Sequence, residues 1–598
     1  MNRNICIVTS IFLIICCLSA YAQRAGIPMI LPGLDSYRIY GASVSDSVVK
    51  KVSIEGQPFD SCLQINTFNT KSFNSAGLTY KIDAPVKAGD VLWVSFKARS
   101  LESRRETGES LIELRVDQLV NGSYVWPPYL ERGVSFGKEW TETSIPFSVS
   151  KDVAPDNMRV VIAFDSYPNK IEIGPITFLN YGNKVSVDEL PRSQFNYEGS
   201  NPFAPWRKEA AMRIEKYRKG DLSVKVVNAK GKPLPGAEVK VSMKRNAFNW
   251  GTAISSQRFL DTLNSDSKKY ADTLMRYFNQ VVFENEMKWG MWTRQDPEKR
   301  GEQTRTAAKI LSEKGITSRG HVMVWPSWRH IPAKVSALKN DSSALRKAVR
   351  DHINEQTYLM KDFFTEWDVI NEPYAHHDLM DILGKEEMVK WFKLAHTGDP
   401  KVKLFLNEYT MFHGEGPNSP SENFYQNVKF LLDHGAPVGA IGEQGHIGGT
   451  PPAIPKIIER LDYFAKLGLP IQISEFDINS NDDDFKARYM ADFMTAIYSH
   501  PATTGFVQWG FWEGQHWFPV AALWNEDWSP RQHGKVFTEL VTKTWWTNAD
   551  GKSSKEGVFR VRGFCGDYEV VVSSGGKTVK EQVTLNNTNS ELVIKLDR

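Results

Sequence analysis

Residues 366–372 read EWDVINE and residues 469–475 read LPIQISE. Each is a short, mostly apolar run rich in β-prone residues that ends on a glutamate, Glu372 in the first and Glu475 in the second. Apolar runs of this kind fit strands buried on both faces, as in parallel sheets. A carboxylate at the mouth of such a strand is badly placed for packing and well placed for chemistry. The competing reading is a pair of buried, salt-bridged acids. The polar partners that both runs carry weigh against it: Asn371 beside Glu372, and Asp477 just beyond Glu475.

Working outward, six more runs of the same texture occupy residues 246–547: FNWGTAI (248–254), NQVVFEN (279–285), ITSRGHVMVW (316–325), VKLFLNEY (402–409), VGAIGEQGH (438–446) and GFVQWGFW (505–512). Helical periodicity lies between them, for example over residues 343–363 and 483–499. Eight strands alternating with helices over this length predict a (β/α)8 TIM barrel with modest insertions, with Glu372 ending the fourth strand and Glu475 the seventh. Residues 35–182 instead show short alternating runs split by Gly, Pro, Asn and Asp, the pattern of a β-sandwich. A polar, proline-bearing stretch at 183–205 reads as a linker. Residues 206–245 and 548–598 share a strand-and-turn texture and are expected to pair as one small β domain flanking the barrel. The fold class is therefore multidomain.

At 598 residues the chain is too long for one core. Lys+Arg 73 against Asp+Glu 70 leaves a net charge of +3, which argues against nucleic acid as the partner and toward a neutral ligand. Aromatic residues make up 12% of the chain, with 18 Trp, and indole faces stack well on sugar rings. Residues 1–22 read as a secretory leader: Arg3, an apolar stretch from Ile5 to Leu18, then Ala20-Tyr21-Ala22. The mature protein is expected outside the cytoplasm, in the periplasm, at the cell surface or in the medium, and to act as a monomer. No other segment approaches a membrane span. Cys62 and Cys565, the two cysteines beyond the leader, are too far apart in sequence to suggest a disulfide framework.

Two carboxylates on different strands are what hydrolysis of a glycosidic bond requires: one protonates the leaving oxygen, the other meets the charge developing at the anomeric carbon. No cofactor or metal is needed. Beyond this, the middle region resembles glycoside hydrolase family 10, mostly retaining endo-β-1,4-xylanases on a (β/α)8 barrel. Seven motifs match in order: ENEMKW (284–289), RGHVMVW (319–325), WDVINE (367–372), LNEY (406–409), GEQGH (442–446), SEFD (474–477) and WGFWEGQHW (509–517). The resemblance implies that Glu372 is the acid/base and Glu475 the nucleophile, with Asn371 on the sugar 2-hydroxyl and His446 and Asp477 orienting Glu475. It implies a glycone half built from Glu284, Asn285, Lys288, His321 and Trp325, and Trp509 and Trp517 covering the reacting sugar. Gln444 and Tyr409 are candidates near the leaving group. Ion pairing of Glu284 with Lys288, or a core role for His321, is the bland alternative. An acid/base role requires a raised pKa at Glu372, while Glu475 must stay ionised.

Departures from the family pattern are Pro326 and Trp328 where histidine and glutamine are common, Glu408 and Glu513 for aspartates, and Phe518 for arginine. Pro373 after Glu372 is similar to the Asn-Glu-Pro of related barrel families that cut cellulose or mannan. Residues 35–182 resemble the carbohydrate-binding modules of families 4, 9 and 22, mainly through GDVLWVSFKARS (89–100) and IEIGPITFLNYG (171–182). There Trp93, Trp126 and Tyr129 are candidates for sugar stacking, with packing as the alternative. The expected activity is retaining endo-1,4-β-xylan hydrolysis. The same mechanism on mixed-linkage glucan, cellulose or a modified xylan is one alternative, and an inert polysaccharide-binding barrel is another.

Overall fold

The computed structural model describes residues 26–31, 33–40, 48–67, 76–103, 110–164, 169–414 and 416–596. The expected leader lies outside the described residues. The chain forms two compact units, one ending at Glu198 and taking in Gly448–Pro451, the other made of Gly199–Ile447 and the residues from Pro452 on.

The first unit is a two-sheet antiparallel sandwich. One sheet runs, in spatial order, Ile27–Pro28, Thr177–Asn180, Val91–Ser103, Asn169–Ile173, Ser61–Asn66 and Val49–Ser53, with Thr141–Ser148 also paired to Val91–Ser103. The other runs Tyr37–Tyr40, Gly77–Lys81, Met158–Phe164, Ser110–Val120 and Ser123–Phe136. Alternation along the strands sorts the faces: Ile112, Leu114 and Val116 are buried, and Glu113 and Arg115 point the other way and pair with each other. The buried set joins Leu63, Ile65, Val94 and Ile162 in one core between the sheets.

Three boundaries differ from those the sequence suggested. The sandwich starts before residue 35, because Ile27–Pro28 pairs with Leu179 and Asn180 and carries Met29 and Ile30 into the core. The stretch 183–205 is no free linker: Ser193 N donates to Ser144 O (2.8 Å), Pro191 O accepts Trp93 Nε1 (2.9 Å), and Phe195 and Tyr197 are buried. The segment 206–245 opens not with a strand but with the helix Pro205–Tyr217, whose first-turn proline suits a helix start. Of the stacking candidates, Tyr129 packs against the core and Trp93 is tied to Pro191, whereas Trp126 is 61% exposed.

In the second unit, Lys219–Asn228 lies between Val558–Phe564 (antiparallel) and Ser590–Leu596 (parallel), and Glu238–Asn246 lies between Asn548–Lys552 and Gly566–Ser574 (both antiparallel). These strands frame a barrel of parallel strands: β1 (Asn249–Ile254), β2 (Gln280–Phe283), β3 (Thr317–Gly320), β4 (Glu366–Asn371), β5 (Lys403–Glu408), β6 (Ala440–Glu443), β7 (Ile471–Ile478) and β8 (Thr503–Gln508). Each pairs with the next, and β8 pairs with β1, so the barrel closes. Helices α1 (Ser265–Tyr277), α2 (Glu302–Glu313), α3 (Ser342–Leu359), α4 (Glu387–Gly398), α5 (Pro420–Asp433), α6 (Ile454–Ala465), α7 (Asp483–Ser499) and α8 (Gln532–Glu539) follow the strands in turn. Their starts are written locally: Asn264, Asp341, Ser419 and Asp482 each accept a backbone N–H of the first turn. On α6 the buried Ile454, Ile457, Ile458, Leu461 and Phe464 recur at helical spacing and form the inward stripe. Among the described residues no helix is long and apolar enough to cross a membrane.

Outside the strand wall, aromatic rings pack β1 against α7, with Trp250 stacked on Trp545 at 5.2 Å and Tyr498 at 4.4 Å from Trp545. Part of the barrel interior is polar. The fully buried Arg319 on β3 contacts both oxygens of Asp368, donates to Glu366 Oε2 (3.3 Å) and Gln472 Oε1 (2.6 Å), and lies 4.0 Å over the Phe405 ring. A guanidinium is suited to this place because its planar fork satisfies several acceptors at once. Removing it leaves two buried carboxylates without their cation. We expect Arg319→Met to lower the unfolding stability of the barrel by about 3–5 kcal/mol, measured as the urea midpoint of its tryptophan fluorescence transition; an unchanged midpoint would refute this role.

Candidate active site

The strand ends carry polar side chains because the barrel's C-terminal rim is where the apolar runs stop. Glu372 follows β4 directly, with φ of 53°, a left-handed conformation that non-glycine residues adopt at a cost of about 1–3 kcal/mol. The conformation is held from several sides. Glu372 N donates to Asn407 O (2.9 Å), His376 N to Glu372 O (3.0 Å), and Tyr374 N to Glu408 Oε2 (2.9 Å). Glu475 does not end its strand as the sequence suggested but lies inside β7, which continues to Ile478. The extension exists because the short strand His446–Ile447 pairs with Asp477 and Ile478.

Amides join the two carboxylates. Asn407 Nδ2 reaches Glu475 Oε1 (2.7 Å) and Asn371 Oδ1 (2.8 Å), and its own Oδ1 accepts from Ser474 Oγ (2.6 Å). Asn371 Nδ2 lies 3.2 Å from Glu372 Oε1, and Gln444 Nε2 donates to that same oxygen at 2.7 Å. Around Glu475, His446 Nε2 stands 3.5 Å from Oε2, and His446 Nδ1 is 2.9 Å from Asp477 Oδ1. Trp517 Nε1 donates to the other Asp477 oxygen (2.7 Å), although the Trp517 ring is half exposed. Burial alone would push the His446 pKa down, but the Asp477 and Glu475 carboxylates outweigh it and raise it to about 10. An imidazolium therefore stands beside Glu475 at neutral pH.

His321 is buried with Nδ1 2.9 Å from Asp368 Oδ2, so its Nδ1–H faces an acceptor and its tautomer is set by the barrel interior. Its ring meets Trp509 edge-on at 5.3 Å. Lys288 Nζ donates to Asn285 Oδ1 (3.0 Å) and lies 5.8 and 5.9 Å from the Trp325 and Trp509 rings. Burial raises the Glu284 pKa, with Lys288 and Asn285 opposing. These residues share one corner of the rim at the ends of β2, β3 and β8. Tyr409 stands apart from that corner, beside Glu408; burial, then the Glu408 and Glu372 charges, push its phenol up to about 12.

Glu372 itself departs from expectation. Burial raises its pKa, but the hydrogen bonds from His376, with Nε2 3.2 Å from Glu372 Oε2, and from Gln444 reverse the balance, and the carboxyl is held below its ordinary value. No sequence motif pointed to His376. Its one sequence signal is position: four residues after Glu372, across the turn that Pro373 begins. Asn407 and Asp368 lie inside quoted motifs, yet their bridging roles depend on which strands become neighbours.

The departures have structural partners. Pro326 O accepts from Leu379 N (3.3 Å) and Trp328 N donates to Asp378 Oδ2 (2.8 Å), tying the loop after β3 to that after β4. Glu513 pairs with Arg531 (2.9 Å), and Phe518 packs on Trp517 at 4.1 Å. Burial drives the Glu408 carboxyl up to about 8 against the backbone N–H groups of Tyr374 and Tyr409, and the Glu372 charge adds to the rise. Folded Glu408 thus keeps its proton at neutral pH, whereas the unfolded chain loses it near 4.5. Unfolding releases a proton in that window, so this group makes stability fall as pH rises from about 4.5 to 8, by at most about 1.4 kcal/mol per pH unit. We expect the difference in Tm between Glu408→Gln and the natural protein to shift in favour of the variant between pH 5 and 8; a pH-independent difference would contradict the buried, protonated carboxyl.

The family model for glycosyl hydrolase family 10 matches residues 239–539, half of the chain. Endo-1,4-beta-xylanase 1 of Arabidopsis thaliana is 30% identical over 466 residues, covering 74% of this chain and 48% of that protein. Anti-sigma-I factor RsgI6 of Acetivibrio thermocellus is 32% identical over 395 residues, covering 64% of this chain and 48% of that protein. The chain spans about half the length of these curated relatives. Among solved structures, xylanase 10B from Thermotoga petrophila RKU-1 in complex with xylobiose is 25% identical with a TM-score of 0.45, covering 50% of this chain and 95% of that one.

Proposed function

The chain belongs to glycosyl hydrolase family 10, and on that premise we propose that it is a secreted, retaining endo-1,4-β-xylanase. The observation that carries the proposal is the amide bridge of Asn407 and Asn371 between Glu372 and Glu475, which holds two carboxyl groups of different surroundings on one rim. In this mechanism Glu475 attacks the anomeric carbon while Glu372 protonates the departing oxygen. Glu372, now ionised, then takes a proton from water as the water attacks the glycosyl-enzyme, and the product leaves with its configuration kept. The donors around Glu475 support its part as nucleophile: Asn407 and the His446 imidazolium face it. The two held donors on Glu372 suit its part as base in the second half. Xylan as the polymer is supported by the names of two of the relatives, both endo-1,4-beta-xylanases. The leader-like residues 1–22 support export, which N-terminal sequencing of the mature protein would test.

We expect Glu372→Ala to lose roughly 10²- to 10⁴-fold in kcat/KM on xylan, and Glu475→Ala to lose at least as much. Azide distinguishes the roles. With Glu372→Ala it should intercept the glycosyl-enzyme and give the β-azide; with Glu475→Ala it should replace the nucleophile and give the α-azide. Full activity in either variant would overturn the assignment. Initial rates on purified xylan and mixed-linkage glucan decide the polymer, and faster glucan cleavage would replace xylan as the substrate. Proton NMR of the first product should show the β-anomer, whereas an α-anomer would mean inversion.

A further inference from the structure

The loop after β4 carries His376 and His377, which no motif singles out. His377 is engaged by Asp381, with Nδ1 2.9 Å from Oδ2. His376 turns back to Glu372, and its Nε2 lies 3.2 Å from Glu372 Oε2 while Gln444 holds Oε1. Aromatic rings back the His376 ring. It meets His330 edge-on at 5.1 Å and Trp325 edge-on at 5.9 Å, and His330 is itself stacked on Trp325 at 3.7 Å. The loop that carries His330 is tied to the His376 loop through Trp328 N and Asp378. The imidazole is thus packed into one orientation, with a nitrogen on the oxygen of Glu372 that Gln444 leaves open.

Resting on the reading of Glu372 as the acid/base, we propose that His376 is a positioning residue: it clamps Glu372 Oε2, favours the ionised carboxylate, and draws the alkaline limit of hydrolysis toward acid pH. An N–H donated to a carboxylate favours its charged form. That helps the second displacement, where Glu372 accepts a proton, and restricts the first, where it must hold one. The depressed pKa of Glu372 agrees with this balance: burial opposes the clamp and is outweighed. His330 supplies packing and no charge, because burial and the neighbouring His376 push its pKa down to about 4. The other groups facing the pair are Lys288 from the loop after β2, His321 and Arg329 from β3 and its loop, and Glu408 and Tyr409 from β5. All of them remain when His376 alone is changed.

His376→Phe keeps a ring against Trp325 and His330 and removes both nitrogens; His376→Gln keeps an N–H donor. For His376→Phe the alkaline limb of kcat/KM on xylohexaose should move up by about one pH unit or more, while His376→Gln should stay near the natural profile. On 2,4-dinitrophenyl β-xylobioside, whose leaving group needs no proton, the limb should not move in either variant. A merely structural role would alter both substrates alike and overturn the proposal. An independent reading without substrate is carbon NMR of glutamate-labelled protein, with the Glu372 carboxyl assigned by Glu372→Gln. Its titration midpoint should rise in His376→Phe, and an unchanged midpoint refutes the clamp. If the natural protein releases no reducing ends from xylan or mixed-linkage glucan while that midpoint still moves, the hydrolase reading fails and the clamp on Glu372 stands.

Discussion

The site depends on a cation buried inside the barrel. Arg319 has no access to solvent, and its guanidinium joins Asp368, Glu366 and Gln472, side chains of β4 and β7. Isolated, each of these charges would be costly in a closed interior; together they satisfy one another. Asp368 then holds His321 Nδ1, and one layer further out Asn407 ties Asn371 to Glu475. The candidate site is therefore the outermost layer of a polar column in a fold usually filled with branched aliphatic side chains. Rotation of any one strand would break bonds in several layers, so register and site geometry are held by the same contacts.

The two catalytic candidates sit in unequal surroundings. Glu475 is met by the bridging amide and by an imidazolium whose own charge is stabilised by Asp477. Glu372 is largely buried, which alone would favour its protonated form, yet two donors tip it the other way. Which side prevails is a matter of a few hydrogen-bond lengths rather than of residue type. Glu408 illustrates the opposite outcome on the neighbouring strand: two backbone donors fail to offset burial, and the carboxyl keeps its proton.

Much of the fold was legible because strands and helices are periodic. The eight runs of residues 246–547 became eight barrel strands in the same order, and helix α7 occupies the residues its pattern marked, 483–499. The errors fall where local pattern and tertiary role part. Residues 183–205 look polar and open, yet Phe195 and Tyr197 are buried. Residues 206–217 fall in a β segment read from the strand texture that follows them, yet they form a helix. Glu475 resembled a strand end because its apolar run stops there, but pairing with His446–Ile447 carries the strand on to Ile478.

By itself the sequence determined the identity of the two carboxylates, the strands that bear them and the family pattern around them, since these depend on residue type, spacing and periodicity along the chain. Only the tertiary structure decided that Asn407 bridges them, that Arg319 anchors the column beneath them, and that His376 and Gln444 lie on Glu372 and together reverse the expected direction of its pKa. Those outcomes depend on distances between side chains of different strands and loops, and an electrostatic balance within a few ångströms is not written in the order of residues.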